Sequence, residues 1–66
     1  MAISYNKLWK LLIDKKMQKQ VLQKEARISS ATLAKLKNSE NVNTEVLLRI
    51  CKVLNCDIAD IMEIEK

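Results

Sequence analysis

The sequence predicts a small all-α domain, and three observations carry that expectation. The chain has neither glycine nor proline, so no residue is forced to break a helix. Hydrophobic residues make up 48% of its 66 positions, yet Trp9 and Tyr5 are its only aromatics, which points to a core of Leu, Ile and Val. The stretch 18–38, QKQVLQKEARISSATLAKLKN, repeats apolar residues at helical spacing. Val21, Leu22, Ala26, Ile28, Leu33 and Leu36 then fall on the inner side of two short helices joined by a tight turn. That layout is a helix-turn-helix.

Taken in order, the elements follow from local signals. Residues 1–4 are too few for an element of their own, although Ile3 and Tyr5 alternate with small or polar neighbours and match the alternation of Met62-Glu63-Ile64-Glu65 as a possible strand pair. A first helix is expected over 5–16, capped by Ser4, with Tyr5, Leu8, Trp9, Leu11 and Leu12 inward and Lys7, Lys10 and Asp14 outward. Trp9 reads as packing rather than base stacking, because single-strand binders combine several aromatics with a basic groove. The second helix spans 19–26, with Gln18 a poor cap. After Arg27-Ile28-Ser29, Ser29 caps a third helix over 30–37.

Segment 38–43, NSENVN, has turn composition and ends in the cap Asn43, and Glu45 suits the first turn of a fourth helix over 44–54. Val46, Leu47, Ile50, Cys51, Val53 and Leu54 form its inner stripe, and Leu48 falls off it. Asp57 caps a short fifth helix whose Ile58, Ile61 and Met62 return to the core. Without glycine, backbone positions needing positive φ are expected at Asn38, Asn41 or Asn55. No linker or repeat divides the chain, so residues 1–66 read as one domain.

Composition excludes several function classes. A chain this short buries roughly 60% of its unfolded surface, too little for a deep substrate cavity. It has no histidine to serve as a base for a Ser or Cys nucleophile, and Asp57 and Asp60 are explained by capping, so no enzyme is expected. No glycine-rich phosphate loop exists. Cys51 and Cys56 read as small core residues in a reducing cytosol rather than a disulfide or metal site, and no cofactor or small-molecule ligand is implied. No apolar run is long enough to span a bilayer, so a soluble, cytoplasmic protein is expected.

The formal charge of +4 is unevenly spread. Between Lys7 and Lys37 nine Lys/Arg face only Asp14 and Glu25, whereas from Asn55 onward Asp57, Asp60, Glu63 and Glu65 face only Lys66. A basic half suits a surface that displaces counterions from phosphates, and equally a set of solvated helix faces. The helix-turn-helix spacing favours the first.

The order Leu22, Ala26, a turn residue, Ile28, Ser29, Thr32, Leu33, Leu36 resembles the DNA-binding domain of the lambda repressor and Cro type, the XRE-like group of bacterial and phage regulators. YNKLWKLLIDKKM resembles that family's first helix, and NTEVLLRICKVLNCDIADIMEI its fourth and fifth. The chain departs from the family pattern in three places. Arg27 stands at the usual turn glycine, Asn38-Ser39 where glycine often follows the recognition helix, and Lys19 where glutamine is usual.

The resemblance implies a compact five-helix lambda-repressor-like fold and a small transcriptional regulator, a repressor, that binds double-stranded DNA with its third helix in the major groove. With Leu33 and Leu36 inward, the base-reading face is Ser30, Ala31, Ala34 and Lys35, with Thr32 at its side. Lys19, Ser29, Lys37, Asn38 and Asn41 are the expected phosphate contacts. A homodimer on DNA is implied, with the leftover apolar residues Leu48, Ile61 and Ile64 as its surface, although edge packing explains them too. Two alternatives stay open: a protein-interaction module on the same fold, antitoxin-like or an anti-repressor partner, and an engineered or decayed domain without a DNA role.

Overall fold

The computed structural model describes residues 2–65. In chain order they form β1 (Ala2–Ser4), α1 (Asn6–Asp14), α2 (Lys19–Ala26), α3 (Ser30–Lys37), α4 (Thr44–Leu54), a single 3-10 turn (Ile58–Asp60) and β2 (Glu63–Glu65). The helices expected over 19–26, 30–37 and 44–54 are all present with those bounds. The fold is mostly helical as expected, and two features correct its five-helix form. The fifth helix is only the 3-10 turn, and a two-stranded antiparallel sheet joins the ends of the described chain.

The 3-10 turn is short because its own side chains close it. Asp57 Oδ1 accepts from the Ile58 amide at 2.8 Å, Asp60 Oδ2 accepts from the Asp57 amide at 2.9 Å, and the Ile61 amide already bonds Ile58 O at 3.0 Å. The chain then extends into β2, whose Glu65, Ile64 and Glu63 stand opposite Ala2, Ile3 and Ser4 of β1. The alternating patterns expected to pair do so, except that Tyr5 leaves the strand. It precedes α1, is fully buried, and its hydroxyl donates to Glu40 O at 3.0 Å. The expectation for residues 1–4 includes Met1, which lies outside the described residues. Ser4 does not cap α1 directly; its buried Oγ accepts from the Asn6 amide at 3.3 Å.

All four helices end in the same way. Lys16, Arg27, Ser39 and Asn55 adopt φ of 52 to 57°, in the left-handed region. The amide after each reaches back five residues: Met17 to Leu12 O, Ile28 to Gln23 O, Glu40 to Lys35 O and Cys56 to Cys51 O, at 2.8–3.1 Å. This closure satisfies carbonyls that the helix leaves orphaned. Of the asparagines expected at positive φ, only Asn55 has it. The place where each helix stops sets which residue turns left-handed, so Ser39 takes the position beyond Asn38, and Lys16 ends α1 earlier than expected.

The core is built from Leu8 and Leu12 of α1, Leu22 of α2, Leu36 of α3, Ile50 and Leu54 of α4, and Ile61, all 2% exposed or less. Val21, expected inside, is 42% exposed because its neighbour Leu22 takes the inward position on α2. Ile61 returns to the core as expected and is wholly buried there, so the dimer-surface role expected for its outer edge is not open to it: it ends the 3-10 turn, which packs against α1 and α4. Leu48 and Ile64 are exposed.

Candidate nucleic-acid interface

The turn between α2 and α3 is fixed from both sides. Arg27 supplies the left-handed residue that reverses the chain, and Ile28 buries its side chain in the core. Ser29 Oγ accepts from the Thr32 amide at 3.1 Å, which satisfies one of the orphan donors of α3. Gln23 Nε2 donates to Ser30 Oγ at 3.2 Å, tying α2 to the first residue of α3. Behind the turn, Arg49 of α4 donates to Arg27 O at 3.3 Å and pairs with Glu45 at 2.8 Å. The angle between α2 and α3 is therefore held by backbone and side-chain bonds as well as by packing.

Burial of Leu33 and Leu36 turns the opposite side of α3 to solvent. Ser30, Ala31, Ala34 and Lys35 are all exposed on it, as expected for a base-reading set. Thr32 is half-buried at its edge, and its Oγ1 lies 2.9 Å from Ser29 Oγ, so both hydroxyls are engaged in the cap. The face carries small side chains except at Lys35, which allows close approach of a large rigid partner.

The expected phosphate contacts divide into separate groups. Lys19 and Lys37 come together along one open groove of about 500 Å³ with Trp9, Ile13, Met17 and Leu33. Ser29 stays with the cap of α3. Asn38 donates to Glu40 at 3.5 Å, and Asn41 lines a different hollow beside Ala2, Ile3 and Ile64. Neither Lys19, Lys35 nor Lys37 is paired with a carboxylate among the described residues, where Glu45–Arg49 is the one ion pair. Their charge is available to an anionic partner.

Two contacts were not expected from the sequence. The Lys19 ammonium sits 4.7 Å from the centroid of the Trp9 ring, and Gln23 bridges to Ser30. Neither follows a periodic pattern; each depends on how two helices cross.

Among the described residues no three potential metal ligands cluster. Cys51 and Cys56 are free thiols, and burial first, then the neighbouring Cys56, pushes the Cys51 thiol up to about 11, so it stays protonated near neutral pH. No described helix is long and apolar enough to cross a membrane.

Residues 7–66 match the family model for the Cro/C1-type HTH DNA-binding domain. The chain belongs to this family. As a Cro/C1-type domain it is also similar to a solved structure, that of the transcriptional regulator VanUg in crystal form II. The two are 55% identical and superpose with a TM-score of 0.92, over 94% of this chain and 83% of that one. No curated protein matches the chain. Within the Cro/C1-type layout, α2 and α3 are the helix-turn-helix, and Arg27 holds the left-handed turn position without glycine.

Proposed function

We propose that the chain is a sequence-specific regulator of transcription, a repressor, which binds double-stranded DNA through α3 as a single non-enzymatic domain. The observation that carries this reading is the outer face of α3. Its small side chains suit a helix lying deep in a major groove about 12 Å wide, and Lys35 is suited to donate to guanine O6 or N7. Ser30 is suited to a base or phosphate oxygen, Ala31 and Ala34 to a thymine methyl, and Thr32 supports the edge. Lys19, Ser29, Lys37, Asn38 and Asn41 hold the backbone in this scheme.

So small a reading face gives few direct contacts, and two copies related by a two-fold axis supply a second set in the next major groove. Leu48 and Ile64, 57% and 62% exposed, are the residues we assign to that pairing, although Ile13 and Val21 are exposed too. The family and the similarity to a transcriptional regulator support the reading.

Fluorescence anisotropy with a random duplex and a selected duplex at two salt concentrations tests it. The selected duplex is expected to bind more tightly at both, and equal affinities that fall together with salt would mean charge without recognition. Sedimentation equilibrium on a palindromic duplex tests the pairing. One protein per duplex at saturation would remove the dimer.

A further inference from the structure

Trp9 is the chain's single tryptophan, and it is half-buried on α1. The Lys19 ammonium covers its ring at 4.7 Å from the centroid, joining α1 to the first residue of α2. A cation at the first position of a helix opposes the helix dipole, so Lys19 gains nothing from its own helix. It has no carboxylate partner among the described residues either. The ring is thus the contact that biases where this charge stands.

That placement has a consequence for an anion. An exposed lysine ordinarily samples many rotamers and loses that freedom when it is frozen onto a phosphate, whereas a lysine already seated has less to lose. An ammonium resting on a ring keeps N–H donors directed away from it, free for a second acceptor. Lys19 and Trp9 also line the same groove as Lys37 of α3, which puts the seated charge on the α3 side of the molecule.

We infer that Trp9 is a positioning residue for DNA binding: its ring holds the Lys19 ammonium in place to meet a backbone phosphate beside α3. This role rests on the DNA-binding reading above. It does not require Trp9 to touch DNA.

The test is a double-mutant cycle on a fluorescein-labelled random-sequence duplex at low salt, since a phosphate contact needs no operator. Trp9→Leu is expected to weaken binding about two- to five-fold, the worth of an exposed cation–π contact. Trp9→Tyr keeps most of the affinity, and in a Lys19→Ala background Trp9→Leu costs nothing further. Emission from Trp9 changes when the duplex is added to the unaltered protein, and that change shrinks in Lys19→Ala.

Equal losses from Trp9→Leu in both backgrounds, or no loss at all, overturn the role while leaving DNA binding intact. Failure of the unaltered protein to bind any duplex overturns the DNA reading together with it. Should Trp9→Leu not fold, the same cycle with the non-aromatic Trp9→Met and the emission change decide the matter: affinity loss confined to the Lys19 background and an emission change dependent on Lys19 support the role, and additivity or an unchanged emission ends it.

Discussion

The helix-turn-helix and the C-terminal segment from Asn55 to Glu65 both place a side chain in the middle of the core, but they are held there differently. In the first, Leu22, Leu33 and Leu36 sit on helices of eight residues, and the turn is closed by bonds between near neighbours: Ser29 to Thr32, Ile28 to Gln23, Gln23 to Ser30. In the second, one 3-10 turn and a strand whose side chains are all exposed are anchored by Ile61 and by pairing with β1 at the other end of the chain. Depth of burial is the same; what differs is how far along the sequence each segment must reach for its support. The turn of the recognition element is thus set by local bonds, while its helices still lean on α4, through the packing of α2 and the Arg49 bond to Arg27 O.

The largest effects should come from the two anchors. Leu36→Ala is expected to cost about 2–5 kcal/mol in urea denaturation, and Ile61→Ala the lower end of that range, because the short tail can settle into the gap. A greater loss at Ile61 would reverse the comparison. On DNA, Lys35→Ala should cost about 1–3 kcal/mol on the preferred site and flatten discrimination there, whereas Lys19→Ala weakens all duplexes alike and lowers the salt slope by about one. Uniform loss in both variants would reduce Lys35 to a phosphate contact.

Capping gives a smaller contrast. Ser29→Ala should remove about 1 kcal/mol of stability. Asp57→Ala should remove less, since the burial of Ile61 still holds its turn, and matching denaturation midpoints for the two variants would contradict this.

Smaller still is the relief of a strained turn. Left-handed backbone at a residue other than glycine costs roughly 1–2 kcal/mol, part of which a glycine gives back through the freedom of the unfolded chain. Arg27→Gly should therefore raise the melting temperature by a few degrees, and Asn55→Gly by less, because asparagine tolerates that conformation. An unchanged or lower melting point for Arg27→Gly would mean that the Arg27 side chain makes up the difference. Ile64→Lys should stay within about 0.5 kcal/mol of the parent in stability while abolishing any pairing of copies through β2.

The same contrast governs what the sequence discloses. The bounds of α2, α3 and α4 and the caps Ser29 and Asn43 were legible because caps, helical spacing and turn composition act over a few residues. The left-handed Arg27 was legible only through the resemblance, from the glycine usual at that place. The tail carries weaker local signals. Asp57 marks a helix start equally well for one turn or for three, and the choice was made by Asp60 and Ile61 closing early. Ile61 and Ile64 look alike in sequence, yet one is the floor of the core and the other lies on a sheet surface. Of the candidate site, the outward face of α3 follows from the burial of Leu33 and Leu36, while the seating of Lys19 on Trp9 depends on a crossing of helices that no local pattern encodes.

Pairing of β1 with β2 also bears on the order in which the molecule assembles. Closing a loop that runs almost the whole length of the chain costs entropy before any contact repays it, whereas the α2–α3 hairpin closes over a few residues. The hairpin should lie in the folding nucleus and the strand pair should form after the rate-limiting step. Substitutions in β1 or β2 are then expected to speed unfolding and leave the refolding rate nearly untouched, and with no proline in the chain that refolding proceeds without a slow isomerisation phase.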